Sequence, residues 1–357
     1  MTNTIPHDAA AIKEARRNNP KLRERDLASQ LGISEAQFLD AFVGDHVERI
    51  VPDIDSFFPM LNEAGVVMAL SRNAHAVHEK TGIYEKYSSG KHASIVLGKD
   101  IDLRIFPKHW RHAYHVTKAM DDGSSLQSFQ FFDARGDAVH KVFTRDATDM
   151  AKWNQIRERL QKTDAAPAFK AASTGKPAEH PTDEAVAVLR ETWSTMEDTH
   201  QFQSMLRKTK ISRHDAIRLI GEDYAQRLSG DAAELLFDRL AAQEVSIMAF
   251  VRNPGILQIH SGPIRTIKQM GPWLNVLDSG FHLHLRKDHF AAIWLVRKPT
   301  SHGDIYSIEI FDENDEQVIL INGDRRGGDV SEAVAQWDGL VQALPRAQAS
   351  TEMEPAQ

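Results

Sequence analysis

The sequence predicts an α+β protein made by tandem duplication of one domain, and two observations carry that expectation. The first is an ordered series of matches. Arg72-Asn73 recurs as Arg252-Asn253, Gly82 as Gly262, His109-Trp110 as His289-Phe290, Lys118 as Lys298 and Gly123 as Gly303, each 180 positions on. One residue is then lost, and Phe132-Asp133 recurs as Phe311-Asp312. The second observation is the order of patterns. Each copy starts helical, turns to strand-like runs, and closes on an amphipathic helix with a Trp, Trp153 in MAKWNQIRERL and Trp337 in VAQWDGLVQAL.

In the first copy, LRERDLASQLGISEAQFLDAF has apolar residues at helical spacing with a Gly-Ile-Ser turn between two short helices. Alternating or apolar runs follow: VVMALSR, ASIVLG, DLRIF, HAYHVTKAM, SFQFFD and VHKVFT. Their counterparts are VSIMAFVRN, GILQIH, FHLHLRKD, FAAIWLVRK, YSIEIFD and QVILING. Asp-Asp-Gly, Arg-Gly-Asp and Glu-Asn-Asp punctuate them, which suits antiparallel meanders. Each half is therefore expected to be a multi-stranded antiparallel sheet with packed helices. The segment KTDAAPAFKAASTGKPAEHPTDE lacks an apolar period and reads as a linker. The expected organisation is a first repeat over 1–161, a linker over 162–184, a second repeat over 185–345 and a polar tail over 346–357.

Composition removes several function classes. The 357 residues include no cysteine, which excludes disulfide frameworks, thiolate catalysis and cysteine-ligated clusters. A net charge of −7 argues against a general nucleic-acid coat. No run approaches 18 apolar residues and the N-terminus lacks a signal-peptide core, so a cytoplasmic protein without membrane insertion is expected. The 17 histidines supply N-donor ligands.

Ala28 to Ser34 followed by Glu35 to Leu39 has the form of a helix-turn-helix. Its second helix carries Glu35 and Asp40 and no cation for phosphate, so a structural hairpin is expected and DNA is not a partner. His282 and His284 lie two apart on an expected strand and share a side, a chelating arrangement. His75 with His78, and His109, His112 and His115, form looser groups. None has H-E-x-x-H context or a third ligand at defined spacing, so solvated faces are expected. Read as one helix from Ala185, residues Leu189, Trp193, Met196, His200 and Leu206 make a continuous apolar stripe. A histidine on such a wall is either a core residue or an axial ligand for haem iron, whose propionates would need cations such as those at Arg207, Lys208, Lys210 and Arg213.

The segments ERDLASQLGIS, SRNAHAVHEKTG, DLRIF, QFFDARGDAVHKVF, MEDTHQFQSMLR and WLVRKPT resemble the cytoplasmic haemin-degrading and haemin-transport family of HemS, ChuS, ShuS, HmuS and PhuS type. The resemblance spans roughly Ala9 to Leu344 and implies two homologous halves with a haem cleft between them. It implies His200 as the axial ligand to the iron of haem b and Arg104 on the distal side. Phe106, two positions further on the same strand, would pack on the porphyrin. Arg213, Lys298 and Arg325 match positions that contact propionates or the distal edge. Leu320 and Asn322, and Gln203 after Phe202, depart from the family pattern. His78 is read as a structural histidine in the loop after a strand, or as the ligand of a second haem that some relatives take.

The function implied is haem-iron acquisition: binding hemin and degrading it to release iron, or carrying it as a non-catalytic chaperone to a separate haem oxygenase. Degradation would draw on an external electron donor, because no G-x-G-x-x-G fingerprint is present. An inner-membrane haem importer, a haem oxygenase or a reductase are the implied partners, with the chain a monomer or dimer.

Overall fold

The computed structural model describes residues 8–161, 169, 181–326 and 331–348. The first half opens with α1 (Ala9–Asn18), α2 (Glu24–Gln30), α3 (Glu35–Asp40), β1 (Val47–Ile50) and α4 (Ile54–Glu63). Eight strands follow: β2 (Gly65–Arg72), β3 (Ala76–Gly82), β4 (Tyr87–Ser88), β5 (Ser94–Leu97), β6 (Asp102–Ile105), β7 (His112–Ala119), β8 (Ser125–Phe132) and β9 (Ala138–Thr148). α5 (Met150–Leu160) closes the half. The second half repeats the order with α6 (Asp183–Ser194), α7 (His200–Thr209), α8 (Arg213–Ile220), β10 (Ala225–Arg227) and α9 (Ala232–Gln243). Its strands are β11 (Ser246–Asn253), β12 (Ile256–Pro263), β13 (Ile267–Met270), β14 (Trp273–Asp278), β15 (Phe281–Arg286), β16 (Ala292–Lys298), β17 (Ile305–Phe311) and β18 (Gln317–Gly323), before α10 (Ser331–Gln342). Element for element, the halves agree.

Local chemistry explains the boundaries. Ser34 and Ser212, at the same place in the two halves, cap α3 and α8 by accepting from the N–H of Gln37 and Asp215. Gly123 and Gly303 occupy left-handed backbone (φ +82° and +100°) in equivalent turns, which is why that match survived duplication. Most of the linker lies outside the described residues. α6 begins at Asp183, two residues before the expected start, because Thr182 caps it. At the other end, Ala347 still donates to the carbonyl of Arg227.

The halves are interwoven. Sheet A runs β1-β7-β8-β9-β2-β3-β15-β14-β13 and sheet B runs β10-β16-β17-β18-β11-β12-β6-β5-β4. Each nine-stranded sheet thus takes six strands from one half and three from the other, all paired antiparallel. The exchange covers the edge that β3 and β12 would otherwise expose. Reciprocal side-chain bonds lock the crossing. Asn73 Nδ2 donates to the carbonyl of Val318 at 2.9 Å, and its repeat partner Asn253 donates to that of Val139 at 2.8 Å.

α1–α3 pack on the outer face of sheet A through Leu27, Ala36, Phe38 and Leu39 against Tyr114, Val116 and Phe132. α6–α8 do the same on sheet B through Trp193, Phe202, Met205 and Ile217 against Ala292, Val296 and Phe311. The hairpin of α2 and α3 is therefore structural: Glu35 is buried, held by Arg72 and Lys141 of the sheet.

Candidate ligand site on the outer face of sheet B

Strand register defines this face. On β6, Leu103 and Ile105 are fully buried in the core, so Arg104 between them points to the outer side. Arg104 lies opposite Leu257 on β12 and Ile95 on β5. The same side continues through Arg252, Phe250 and Met248 of β11, then Leu320 and Asn322 of β18. Ile95, Leu257, Phe250, Met248 and Leu320 are only half-buried, leaving an open apolar floor beyond the edge of the helices. The buried Ser261 Oγ and Asn322 Oδ1 have no partner in the protein. Leu320 and Asn322, two of the three residues that depart from the family pattern, belong to this floor; Gln203 lies on α7.

His200 occupies a different position from the one the apolar stripe implied. The expected continuous helix breaks between Ser194 and His200. Thr195 Oγ1 bonds back to the carbonyl of Glu191, and Gln201 Oε1 accepts from the N–H groups of Glu197 and Asp198, so the sequence carries stop and start chemistry in five residues. His200 becomes the first residue of α7 with its side chain 93% exposed. The core stripe consists of Leu189, Trp193 and Met196 without it. Its Nδ1 contacts Asp198 Oδ1 at 2.7 Å, an arrangement in which Nδ1 donates and Nε2 keeps a free lone pair. Accepting from the backbone and ring of His200 holds the Asp198 carboxyl below its usual range.

The other candidates divide. Arg104 bonds Asp102 and, at 3.2 Å, the carbonyl of Leu103. Phe106 sits just past the end of β6, half-buried, its N–H on the carbonyl of Gly255. Arg213 and Lys298 converge on one carboxylate. Arg213 Nη2 donates to Glu309 Oε1 at 2.8 Å and Lys298 Nζ to the same oxygen at 2.9 Å, beneath the ring of Phe202. Burial alone would raise the Glu309 pKa; the two cations outweigh it and hold the carboxyl well below its usual range. Arg325 donates to the carbonyl of Asp304 at 2.7 Å.

His78 is a correction to the sequence reading. It lies inside β3, not in a loop, and is fully buried. Gln258, its repeat partner, donates Nε2–H to His78 Nδ1 at 2.8 Å, and burial with the nearby His260 and Lys80 drives its pKa well down. His115, expected on a solvated face, is also buried, against Phe129 and Trp153. Sequence reading missed Asp198, the residue that orients His200; its i−2 spacing was the available signal. A cavity of about 980 Å³ opens where hairpins of both halves meet, lined by Arg25, Arg72, His75, Arg252 and Asp312. It includes Arg213 but neither His200 nor Arg104.

The model of the haemin-degrading HemS.ChuX domain matches the chain twice, over residues 32–160 and 210–344, once in each half. The chain belongs to the HemS family. Hemin transport protein HemS of Yersinia enterocolitica is 33% identical over 325 residues, covering 91% of this chain and 93% of that protein. Holo-PhuS, a haem-binding protein from Pseudomonas aeruginosa, superposes with a TM-score of 0.88 at 34% identity, covering 96% of this chain and 100% of that one. ChuS, an E. coli haem oxygenase, superposes with a TM-score of 0.81 at 32% identity, covering 92% and 98%. HemS-family membership agrees with the duplicated α+β architecture. Among the described residues, no helix is long and apolar enough to cross a membrane.

Proposed function

We propose that this HemS-family protein binds haem in bacterial haem-iron utilisation, with His200 Nε2 as the axial ligand of the iron. The observation that carries the reading is the exposed imidazole whose Nδ1 is already engaged by Asp198. A carboxylate on Nδ1 fixes the tautomer that leaves Nε2 as the donor. The floor of Phe250, Leu257 and Leu320 supplies the apolar surface a porphyrin needs. Arg104 supplies cationic N–H donors for the far side, and Phe106 adds aromatic surface at its edge. Glu309 neutralises one of the two cations that meet it, so the Arg213–Lys298 pair contributes net positive charge toward the propionates, as does Arg325.

Haem is the cargo or the substrate here, and two fates follow. In degradation, electrons come from an external donor such as a reductase, and the ring is oxidised to release iron. In transfer, haem arrives from an inner-membrane importer and passes to a haem oxygenase in the cytoplasm.

A hemin titration of wild type and His200→Ala tests the site. The expected result is one haem per chain with at least about a ten-fold loss in the variant, about 1.4 kcal/mol. An unchanged Soret band and affinity would remove His200 from the site. Adding NADPH and a reductase, with catalase present, separates the fates: a stable Soret band means transfer and catalytic bleaching means degradation.

A further inference from the structure

The outer face of sheet A is the repeat of the face just described, and it carries different chemistry. At the 180-residue offset Asp102 and Arg104 become His282 and His284, and Ile259 answers to Glu79. The register confirms the equivalence: Asp102 pairs with Ile259 in sheet B, and His282 pairs with Glu79 in sheet A. β3 comes from the first half and β15 from the second, so only the strand exchange brings the carboxylate to the imidazoles.

We propose that Glu79, His282 and His284 form a binding site for a divalent first-row transition metal such as Zn2+ or Fe2+. One ligand atom from each lies within 4.8 Å of the others, and all three side chains are half-buried. His282 Nδ1 stands 3.4 Å from Glu79 Oε2. A tetrahedral ion with bonds near 2.1 Å needs ligand atoms about 3.4 Å apart, which side-chain rotation on a fixed strand pair supplies. Two imidazoles and one carboxylate favour this class over Mg2+ or Ca2+, which prefer oxygen throughout, and leave coordination positions open.

His284 is already oriented for the task. Asn275, itself buried, donates its Nδ2 protons to the carbonyls of Lys268 at 3.0 Å and Trp273 at 3.4 Å. Its Oδ1 is thereby fixed as an acceptor and takes the Nδ1–H of His284 at 2.7 Å, leaving Nε2 with a free lone pair. A plain ion pair between Glu79 and His282 would need neither His284 nor Asn275.

The test uses the tag-free, haem-free full chain titrated with Co2+, followed by its visible ligand-field bands, and with Zn2+ by calorimetry. One ion per chain is expected. Glu79→Gln, His282→Ala and His284→Ala should each weaken it at least ten-fold, and Asn275→Ala by about ten-fold through loss of orientation. Because His282 is 44% exposed, His282→Gln should leave the fold intact, and thermal stabilisation by Zn2+ in wild type but not in His282→Gln is a second readout. Hemin titration of the same variants should be unchanged, which separates this site from the haem face. Binding weaker than about 1 mM, or equal binding in the His282→Ala/His284→Ala double variant, would overturn the proposal.

Discussion

On sheet B, Arg104 stands between Ile95 and Leu257; at the same register of sheet A, His284 stands between Asn275 and Val77. An apolar floor with a cation in one half has become a histidine-rich surface in the other. The bridges between helices and sheets diverge as well. In the first half the buried carboxylate, Glu35, comes from helix α3 and meets Arg72 and Lys141 of the sheet. In the second half the carboxylate, Glu309, comes from the sheet and meets Arg213 of helix α8 together with Lys298. Duplication preserved strand register, which pairs backbone groups across both sheets, and the need to compensate buried charge. It did not preserve which element carries which sign.

The largest effects test the inverted bridges. Glu309→Gln leaves two buried cations uncompensated and should cost about 3–5 kcal/mol in urea unfolding; Glu35→Gln should cost as much. A cost below about 1 kcal/mol on either side would break the equivalence.

Acid stability comes next, and buried histidines of both halves carry it, among them His78, whose pKa burial drives well down. Burial, joined for His260 by the charge of Lys80, lowers the pKa values of His140 and His260 to about 3. An unfolded histidine takes a proton near pH 6.5, so below that value the unfolded chain binds one more proton per group than the native one. Stability therefore falls as pH drops from about 6.5 toward 3, by about 1.4 kcal/mol per pH unit for each group. The unfolded imidazole is half protonated at about pH 6.5. Denaturation at pH 6.5 and 5.5 should therefore show a loss of about 1 kcal/mol for each such ring, and His140→Gln or His260→Gln should each remove one such share. A flat profile would mean that both rings are reached by water.

Asn73 and Asn253 make the same clasp from opposite sides, so Asn73→Ala and Asn253→Ala should cost about 1–2 kcal/mol each and be nearly equal. Unequal costs would show that one half holds the crossing alone. The smallest effect concerns Arg104→Ala. Haem affinity should stay within about three-fold, under about 0.7 kcal/mol, while cyanide or azide affinity of the haem complex changes. If azide affinity and reductant-driven turnover both hold, Arg104 does not serve the far side of the iron.

Much of this protein was legible in sequence. Offset matches revealed the duplication, and the alternating runs marked most long strands, because side-chain period and turn chemistry are written locally. The short strands β1, β4, β10 and β13 left no comparable period, and β3 was hidden by its charged residues. β14 escapes the run-by-run pairing, which sets GILQIH of β12 opposite ASIVLG of β5, whose true counterpart is β14. Family motifs led to His200, although a helical wheel drawn through Thr195 to Thr199 put it on the wrong face.

By itself, then, the sequence determined an α+β duplication and its family. Tertiary structure alone decided that three strands of each half complete the other's sheet, since pairing across about 200 residues leaves no local mark. It decided that Arg213 and Lys298 share Glu309, that His78 is sealed in the core, and that Glu79 joins His282 and His284. Each depends on which surfaces meet when sheet edges close, and a residue's charge or period says nothing of the neighbour it will find there.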